Sequence, residues 1–284
     1  MKIGIHGINL NDKKKKVLSN LIKVINKNKI DILYSKRLSK NLGIKNITTY
    51  NKTSIAELDF IISFGGDGTL LETVTHIENT GKHILGINIG KLGFLSTDVY
   101  NKFEILLHDI MQKKFSTDKR SLVNLNTTSK KIKKNYALNE ISIIKKDSSS
   151  MIKIHCHIND QFLCTYWADG LIIATPTGST GYSLSCGGPI LTPDTNNLII
   201  TPISPHNLGL RSLVVSDKSI IKLIVESQGI DFLVSMDSRS FTCRDEEKLI
   251  ITKSNFKINL IQPNNFDFFD TLRNKLNWGY DFRN

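Results

Sequence analysis

The segment Phe60-Ile-Ile-Ser-Phe64, Gly65-Gly66-Asp67-Gly68-Thr69, Leu70-Leu71-Glu72-Thr73-Val74 constrains the fold more than any other stretch of the chain. An apolar run of strand length enters a glycine-rich turn, and the turn opens directly into a helix-like pattern. Glycines let backbone N–H groups approach an anion without a Cβ in the way, and a helix N-terminus adds a favourable dipole, so such a junction suits phosphate. A turn in which Gly-Asp-Gly supplies only unusual backbone angles and a helix cap is the simpler reading. The buried strand before it and the additional glycine favour the anion site. Asp67 is the odd member of that site: a carboxylate repels phosphate, and its presence calls for a proton to remove or a metal to hold.

The surrounding pattern sets that junction in an α/β frame. Lys2 to Ile8, Ile30 to Tyr34, Leu58 to Phe64 and Ile84 to Ile89 read as strands buried on both faces. Between them Val17, Leu21, Val24 and Ile25, and later Phe103, Leu107 and Ile110, recur at helical spacing. A mainly parallel sheet follows. After Thr117 to Ser121 the helical period fades. Leu122 to Asn126, Tyr136 to Ile144, Ile152 to Ile158, Gln161 to Tyr166, Ser219 to Val225, Asp231 to Ser235, Lys248 to Thr252 and Phe256 to Ile261 predict a layered, sandwich-like β domain. Phe266, Phe269, Leu272 and Leu276 predict a last amphipathic helix that returns to the first domain. The expected domains are therefore 1–116 (α/β), 117–264 (β-rich) and 265–284 (the terminal helix).

Composition narrows the classes. The 284 residues, 40% apolar, suffice for two ordinary cores. The net charge of +12 comes from lysine spread through the whole chain. Only Lys13 to Lys16 and Lys130 to Lys134 cluster, as a helix start and a hairpin rim, so neither a nucleic-acid nor a membrane surface is expected. Cys156, Cys164, Cys186 and Cys243 lie far apart, without the pairing of a zinc site or a disulfide framework. The opening Met-Lys-Ile-Gly-Ile-His-Gly lacks a signal peptide's apolar core, and no run approaches the ~18 residues of a membrane span, so a cytoplasmic chain is expected.

Three further signals could carry chemistry. Gly90-Lys91-Leu92-Gly93-Phe94 is a second glycine turn at the end of a predicted parallel strand, where loops border one crevice. Gly86 to Lys91 falls one residue short of a Walker loop and lacks its Ser/Thr, and no G-x-G-x-x-G follows a strand. Asp169-Gly170 through Thr177-Gly178-Ser179-Thr180-Gly181-Tyr182-Ser183-Leu184-Ser185 to Gly187-Gly188-Pro189 packs hydroxyls and glycines beside an aromatic ring, groups able to read ribose oxygens or stack on a base. It lacks G-x-S-x-G, which excludes a serine-hydrolase elbow. Asn139-Glu140 sets an amide and a carboxylate side by side among apolar neighbours. His155 and His157 share one strand face but have no third ligand nearby.

Taken together, Gly65-Gly66-Asp67-Gly68-Thr69, Asn139-Glu140 and the Asp169 to Pro189 segment resemble bacterial NAD kinases. The likeness extends to Asn88-Ile89-Gly90, Leu92 to Leu95, Pro205-His206, Val234 to Ser238 and Asn259 to Ile261. The resemblance implies transfer of the γ-phosphoryl of ATP, or of polyphosphate, to the adenosine-ribose 2′-hydroxyl of NAD, with a divalent cation such as Mg²⁺ and a homodimer or homotetramer. It implies that Asp67 accepts the hydroxyl proton. Asp67, Gly68, Asn139, Glu140, Asp169, Thr180, Gly181, Tyr182, Ser183, Leu184 and Ser185 would line the dinucleotide pocket. Gly181 stands where alanine is usual. Trp167, Ser150 and Arg239 also depart from the pattern and leave NAD against NADH preference open. The competing expectation is a lipid kinase sharing G-G-D-G-T, which the Thr177 to Ser185 segment disfavours.

Overall fold

The computed structural model describes residues 1–8, 10–43, 48–89, 93–96, 102–128, 132–146, 150–263 and 266–279. The chain forms two compact units: Met1–Lys119 with Ile258–Asn284, and Arg120–Lys257.

The first unit opens with β1 (Lys2–Gly7), α1 (Asp12–Lys27), β2 (Asp31–Tyr34), α2 (Lys36–Leu42), β3 (Phe60–Phe64), α3 (Asp67–Ile77), β4 (His83–Ile87) and α4 (Phe103–Met111). The four strands are parallel in the order β2-β1-β3-β4. All five residues of β3 are buried, which is why this central strand reads as an unbroken apolar run. Ile3, Ile5, Phe60, Ile62, Phe64, Leu85 and Ile87 from the sheet meet Leu18, Leu21 and Ile25 of α1 and Phe103, Leu107 and Ile110 of α4 in one core. Lys13 to Lys16 fall in the first turns of α1, where the Asn11 side chain caps the Lys14 amide. α2 and a short 3₁₀ turn at Ser54–Glu57 were not expected from the sequence. Both are too short to show a helical period, and α2 is announced only by its Ser35 cap and the left-handed Gly43 at its end.

The second unit holds β5 (Ser116–Thr127, begun in the first unit), β6 (Tyr136–Ala137), β7 (Glu140–Lys145), β8 (Ile152–Ile158), β9 (Gln161–Ala168), β10 (Gly170–Ala174), a 3₁₀ turn at Thr177–Thr180 and α5 (Tyr182–Ser185). It continues with β11 (Asn197–Ile203), β12 (Leu213–Ser216), β13 (Ile221–Glu226), β14 (Phe232–Met236), β15 (Arg239–Cys243) and the start of β16 (Lys248–Gln262). One antiparallel sheet runs β12-β11-β10-β7-β14-β15. Against it lie β9, β8, β13 and the first part of β16. Ile141, Ile143, Leu171, Ile173 and Val234 of the first layer pack on Ile154, Cys156, Leu223 and Ile251 of the second.

The predicted strand Tyr136 to Ile144 is two strands broken at Leu138-Asn139. The two predicted strands Lys248 to Thr252 and Phe256 to Ile261 are one. β16 pairs with β13 through Lys248 to Ile251 and with β4, in parallel, through Asn259 and Leu260. The β-rich segment, expected to run to 264, thus gives its last residues to the first unit, together with α6 (Phe268–Leu276). The helix face differs from the expected one. Leu272 is buried, Phe269 is 53% exposed, and Phe268 makes the ring contact with Phe94 instead. Lys130 and Lys131 lie outside the described residues.

Ile5 is wholly buried in β1. Ile5→Ala should cost about 2–5 kcal/mol in urea unfolding followed by circular dichroism, whereas a loss below about 1 kcal/mol would contradict this account of the first core.

Candidate active site

The strand–glycine–helix junction forms as its sequence requires. Gly65 N–H bonds Ile87 C=O at 2.9 Å, joining the end of β3 to the end of β4, and the first turn of α3 closes on the Gly66 carbonyl. No side chain caps α3, so its leading amides keep their donors. A Cβ at Gly66 or Gly68 would meet nothing within 4 Å. Packing therefore does not require these glycines. Bare backbone beside open space at the positive end of an 11-residue helix is what an approaching phosphate can use.

Asp67, the first residue of α3, is held on both carboxylate oxygens. Phe94 N–H donates to Oδ2 at 2.9 Å, Leu95 N–H to Oδ1 at 3.1 Å and Ser96 Oγ to Oδ1 at 3.1 Å. Lys275 Nζ of α6 approaches Oδ2 at 3.3 Å and sits 4.5 Å over the Phe94 ring. Gly93 permits this closeness, since a Cβ there would lie 2.1 Å from Asp67 Oδ1. The second glycine turn thus does reach Asp67 through Gly93 to Ser96, while Gly90, Lys91 and Leu92 lie outside the described residues. Lys275 was missed by sequence reasoning. Nothing local marks a lysine 208 positions away as a neighbour.

In the second unit Asn139 and Glu140 stand at the break between β6 and β7, and Asp237 makes the break. Its carboxylate accepts from the amides of Leu138 at 2.9 Å, Asn139 at 2.8 Å and Glu140 at 3.3 Å. On the other side Thr175 N–H bonds Asn139 C=O at 2.8 Å, and Thr175 Oγ1 bonds Leu138 C=O at 2.6 Å. Gly178 lies so close that a Cβ would sit 2.1 Å from the Asn139 carbonyl. Held in this way, Asn139 Oδ1 and Glu140 Oε2 are buried and have no hydrogen-bond partner. Two orphaned oxygens side by side, one of an amide and one of a carboxyl, fit a ligand that brings hydroxyl or amine groups. Burial, then the nearby Asp237, pushes the Glu140 carboxyl up to about 8 against a bond from the Tyr182 amide. Burial also raises Asp237 against its three amide donors and Arg239.

The hydroxyl-rich segment is less open than its composition suggests. Thr175, Thr177, Ser179 and Ser183 are buried. Ser179 Oγ bonds Pro176 C=O and accepts from Leu191 N–H, while Ser183 Oγ pairs with Thr201. What faces outward is Tyr182, 39% exposed, together with Ser185. Thr180, Gly181 and Leu184 are half-buried. An ideal Cβ on Gly181 would lie 3.1 Å from Glu140 Oε2 and 3.5 Å from Asn139 Nδ2, so this loop borders the orphaned acceptors. Asp169 pairs with Lys145 at 2.7 Å. Trp167 stacks on His206 at 4.6 Å between centroids, which gives that histidine a packing role. His155 bonds Thr165 and Glu226, and His157 packs on Phe162. Asp237 was legible only as part of Val234 to Ser238. Its grip on the Asn139-Glu140 backbone joins residues about a hundred positions apart.

A glycine turn that offers helix amides and one oriented carboxylate, on a chain whose second unit holds a built acceptor pair, defines a phosphate-handling enzyme of two-unit α/β and β architecture. Comparison with known proteins gives the family. The ATP-NAD kinase N-terminal domain matches residues 8–115 and the ATP-NAD kinase C-terminal domain residues 138–263. The chain is 46% identical over 296 aligned residues to an NAD kinase of Flavobacterium psychrophilum and 42% over 294 to one of Christiangramia forsetii, each alignment covering 100% of both proteins. This chain belongs to the NAD kinase family. Its fold matches that of yeast NADH kinase complexed with NADH at a TM-score of 0.89 and 22% identity, covering 100% of this chain and 89% of that one. It also matches an NAD kinase from Archaeoglobus fulgidus in complex with ATP at 0.77 and 24%, covering 98% and 99%.

Between the ordinary 4.5 and about 8, the folded protein keeps a proton on Glu140 that the unfolded chain has released. Stability from this group therefore falls as pH rises through that window. Melting temperatures measured from pH 5 to pH 8 should show a downward slope that Glu140→Gln flattens, and equal slopes in the two proteins would contradict the shift.

Proposed function

We propose that this chain transfers the γ-phosphoryl of ATP to the 2′-hydroxyl of the adenosine ribose of NAD, giving NADP and ADP, with Asp67 accepting the hydroxyl proton. The observation that carries this reading is the Asp67 carboxylate, oriented by Phe94, Leu95 and Ser96 at the uncapped start of α3. A ribose hydroxyl is a poor nucleophile until its proton has somewhere to go. Phosphoryl transfer otherwise needs mainly alignment and charge neutralisation. As the hydroxyl oxygen forms its bond to phosphorus, the bond from phosphorus to the β–γ bridging oxygen breaks. ADP leaves, and the proton passes to Asp67.

Gly68 leaves backbone bare beside the carboxylate. Asn139 and Glu140 offer their orphaned oxygens to NAD hydroxyls or amines, and Tyr182 stacks on a ring of the dinucleotide. Asp169 and the Thr180 to Ser185 segment complete the NAD contacts, with Gly181, Ser183 and Leu184 shaping the loop through their backbone. Gly181 spares Glu140 the contact that an alanine methyl would make. Polyphosphate is an alternative donor. The resemblance further carries a cytoplasmic homodimer or homotetramer. No helix among the described residues is long and apolar enough to cross a membrane.

The divalent cation belongs to the same reading. The glycine turn contributes one carboxylate, already accepting from two amides, a hydroxyl and an ammonium. That donor set suits a cation carried on the phosphates of ATP more than one caged by the chain.

Asp67→Asn should retain the fold and NAD binding while lowering kcat by on the order of 10²–10⁴, about 3–5 kcal/mol of barrier, in an assay of NADP formation with ATP and Mg²⁺. Wild-type turnover would remove Asp67 from the chemistry, and phosphate appearing only on diacylglycerol would restore the lipid-kinase reading. Tyr182→Ala should weaken NAD binding by about 0.5–1.5 kcal/mol in calorimetry, and an unchanged Kd would place the ring elsewhere.

A further inference from the structure

A second cluster of chemistry-bearing side chains lies on the first unit and has no part in the proposed reaction. His6 lies next to the end of β1 among buried residues, and Glu72 and His76 stand at i and i+4 on one face of α3. One ligand-type atom from each lies within 4.8 Å of the other two. We propose that His6, Glu72 and His76 bind one divalent transition-metal ion of the zinc class through two imidazoles and a carboxylate.

The His6 side chain is wholly buried, yet its Nε2 makes no hydrogen bond and faces Glu72 Oε1 at 3.5 Å. A tetrahedral zinc ion with bonds of about 2.0–2.1 Å separates neighbouring ligand atoms by about 3.3–3.4 Å, close to that gap. Ser63, paired with His6 in register across β1 and β3, also has a buried hydroxyl without a hydrogen bond. Two orphaned polar groups on adjacent strand positions are costly unless something fills the space.

Each ligand also has the outer partner that metal sites use to fix orientation. Ser35 Oγ meets His6 Nδ1 at 2.9 Å, and Tyr50 Oη meets His76 Nδ1 at 3.0 Å. With Nδ1 of His6 donating to the Ser35 hydroxyl, the His6 Nε2 that faces Glu72 is the nitrogen left to bind an ion. Arg37 Nη1 holds the second oxygen of Glu72 at 2.7 Å, which leaves Oε1 for the ion. Its charge opposes a dication but aligns the carboxylate. Glu72 and His76 are half-buried, which leaves a fourth corner for water. Two imidazoles select zinc, cobalt or nickel over magnesium, so this is not the cation of the ATP phosphates. The ion would tie β1 to α3, the helix that begins with Asp67.

The test uses the untagged full chain, stripped with chelator and titrated with Co²⁺ while visible d–d absorption is followed. One Co²⁺ per chain should bind with a tetrahedral spectrum, Zn²⁺ should displace it and raise the melting temperature, and Mg²⁺ should do neither. Glu72→Gln and His76→Gln should each weaken Co²⁺ binding at least tenfold, and Tyr50→Phe by about 10–100-fold, with folding checked by circular dichroism. His6, being buried, is left intact, and a His155→Ala, His157→Ala double variant should bind as the wild type does. Absence of the spectrum, its survival in both Glu72→Gln and His76→Gln, or its loss in the His155, His157 variant would overturn the proposal. Binding is read without turnover, so its failure is separable from failure of the kinase reading.

Discussion

The bond from the Phe94 and Leu95 amides to the Asp67 carboxylate is the constraint on which the first unit's chemistry depends. A carboxylate at a helix N-terminus is electrostatically welcome there but free to rotate. Two backbone donors from the loop after β4 remove that freedom, and they can approach only because residue 93 has no side chain. Lys275 and Phe268 press the C-terminal helix onto the same loop, so the last element of the chain supports the geometry of its most chemical residue.

Asp237 performs the equivalent task in the second unit. By accepting three successive amides it ends β6, starts β7 and leaves Asn139 Oδ1 and Glu140 Oε2 without a hydrogen-bond partner. The cost is two carboxyls raised by burial, Glu140 also by the nearby Asp237. An arrangement that spends stability to keep acceptors unsatisfied is characteristic of a ligand site. Gly181, bordering these acceptors, makes this part of the NAD kinase fold slightly roomier than an alanine would.

Much of this was legible in the sequence because the governing interactions are local. β3, the glycine turn and α3 are contiguous, and burial on both faces of the parallel strands shows as apolar runs. Strands such as β10 and β11 were harder to see. β10 is buried on both faces inside an antiparallel sheet, with Leu171 and Ile173 in one core and Ile172 and Ala174 in another, so it has neither alternation nor length to mark it. The partners of the site residues, Lys275 for Asp67 and Asp237 for Asn139-Glu140, were invisible because sequence separation hides them. The hydroxyls of Thr177 to Ser183 looked available by composition, but Ser179 and Thr180 bond the loop's own backbone and Ser183 pairs with Thr201. Glu72 lies in the predicted helix start, but α3 must run on to His76 and β1 must fold beside it before His6, Glu72 and His76 form one cluster.

The most direct test of the central claim is the regiochemistry of the product. Purified protein is incubated with ATP, Mg²⁺ and NAD, and the product is examined by ³¹P and ¹H NMR. The account predicts a new phosphomonoester on the adenosine-ribose 2′-oxygen, matched by an equal amount of ADP. Phosphate on any other oxygen, or ADP released with inorganic phosphate and no modified dinucleotide, would contradict it.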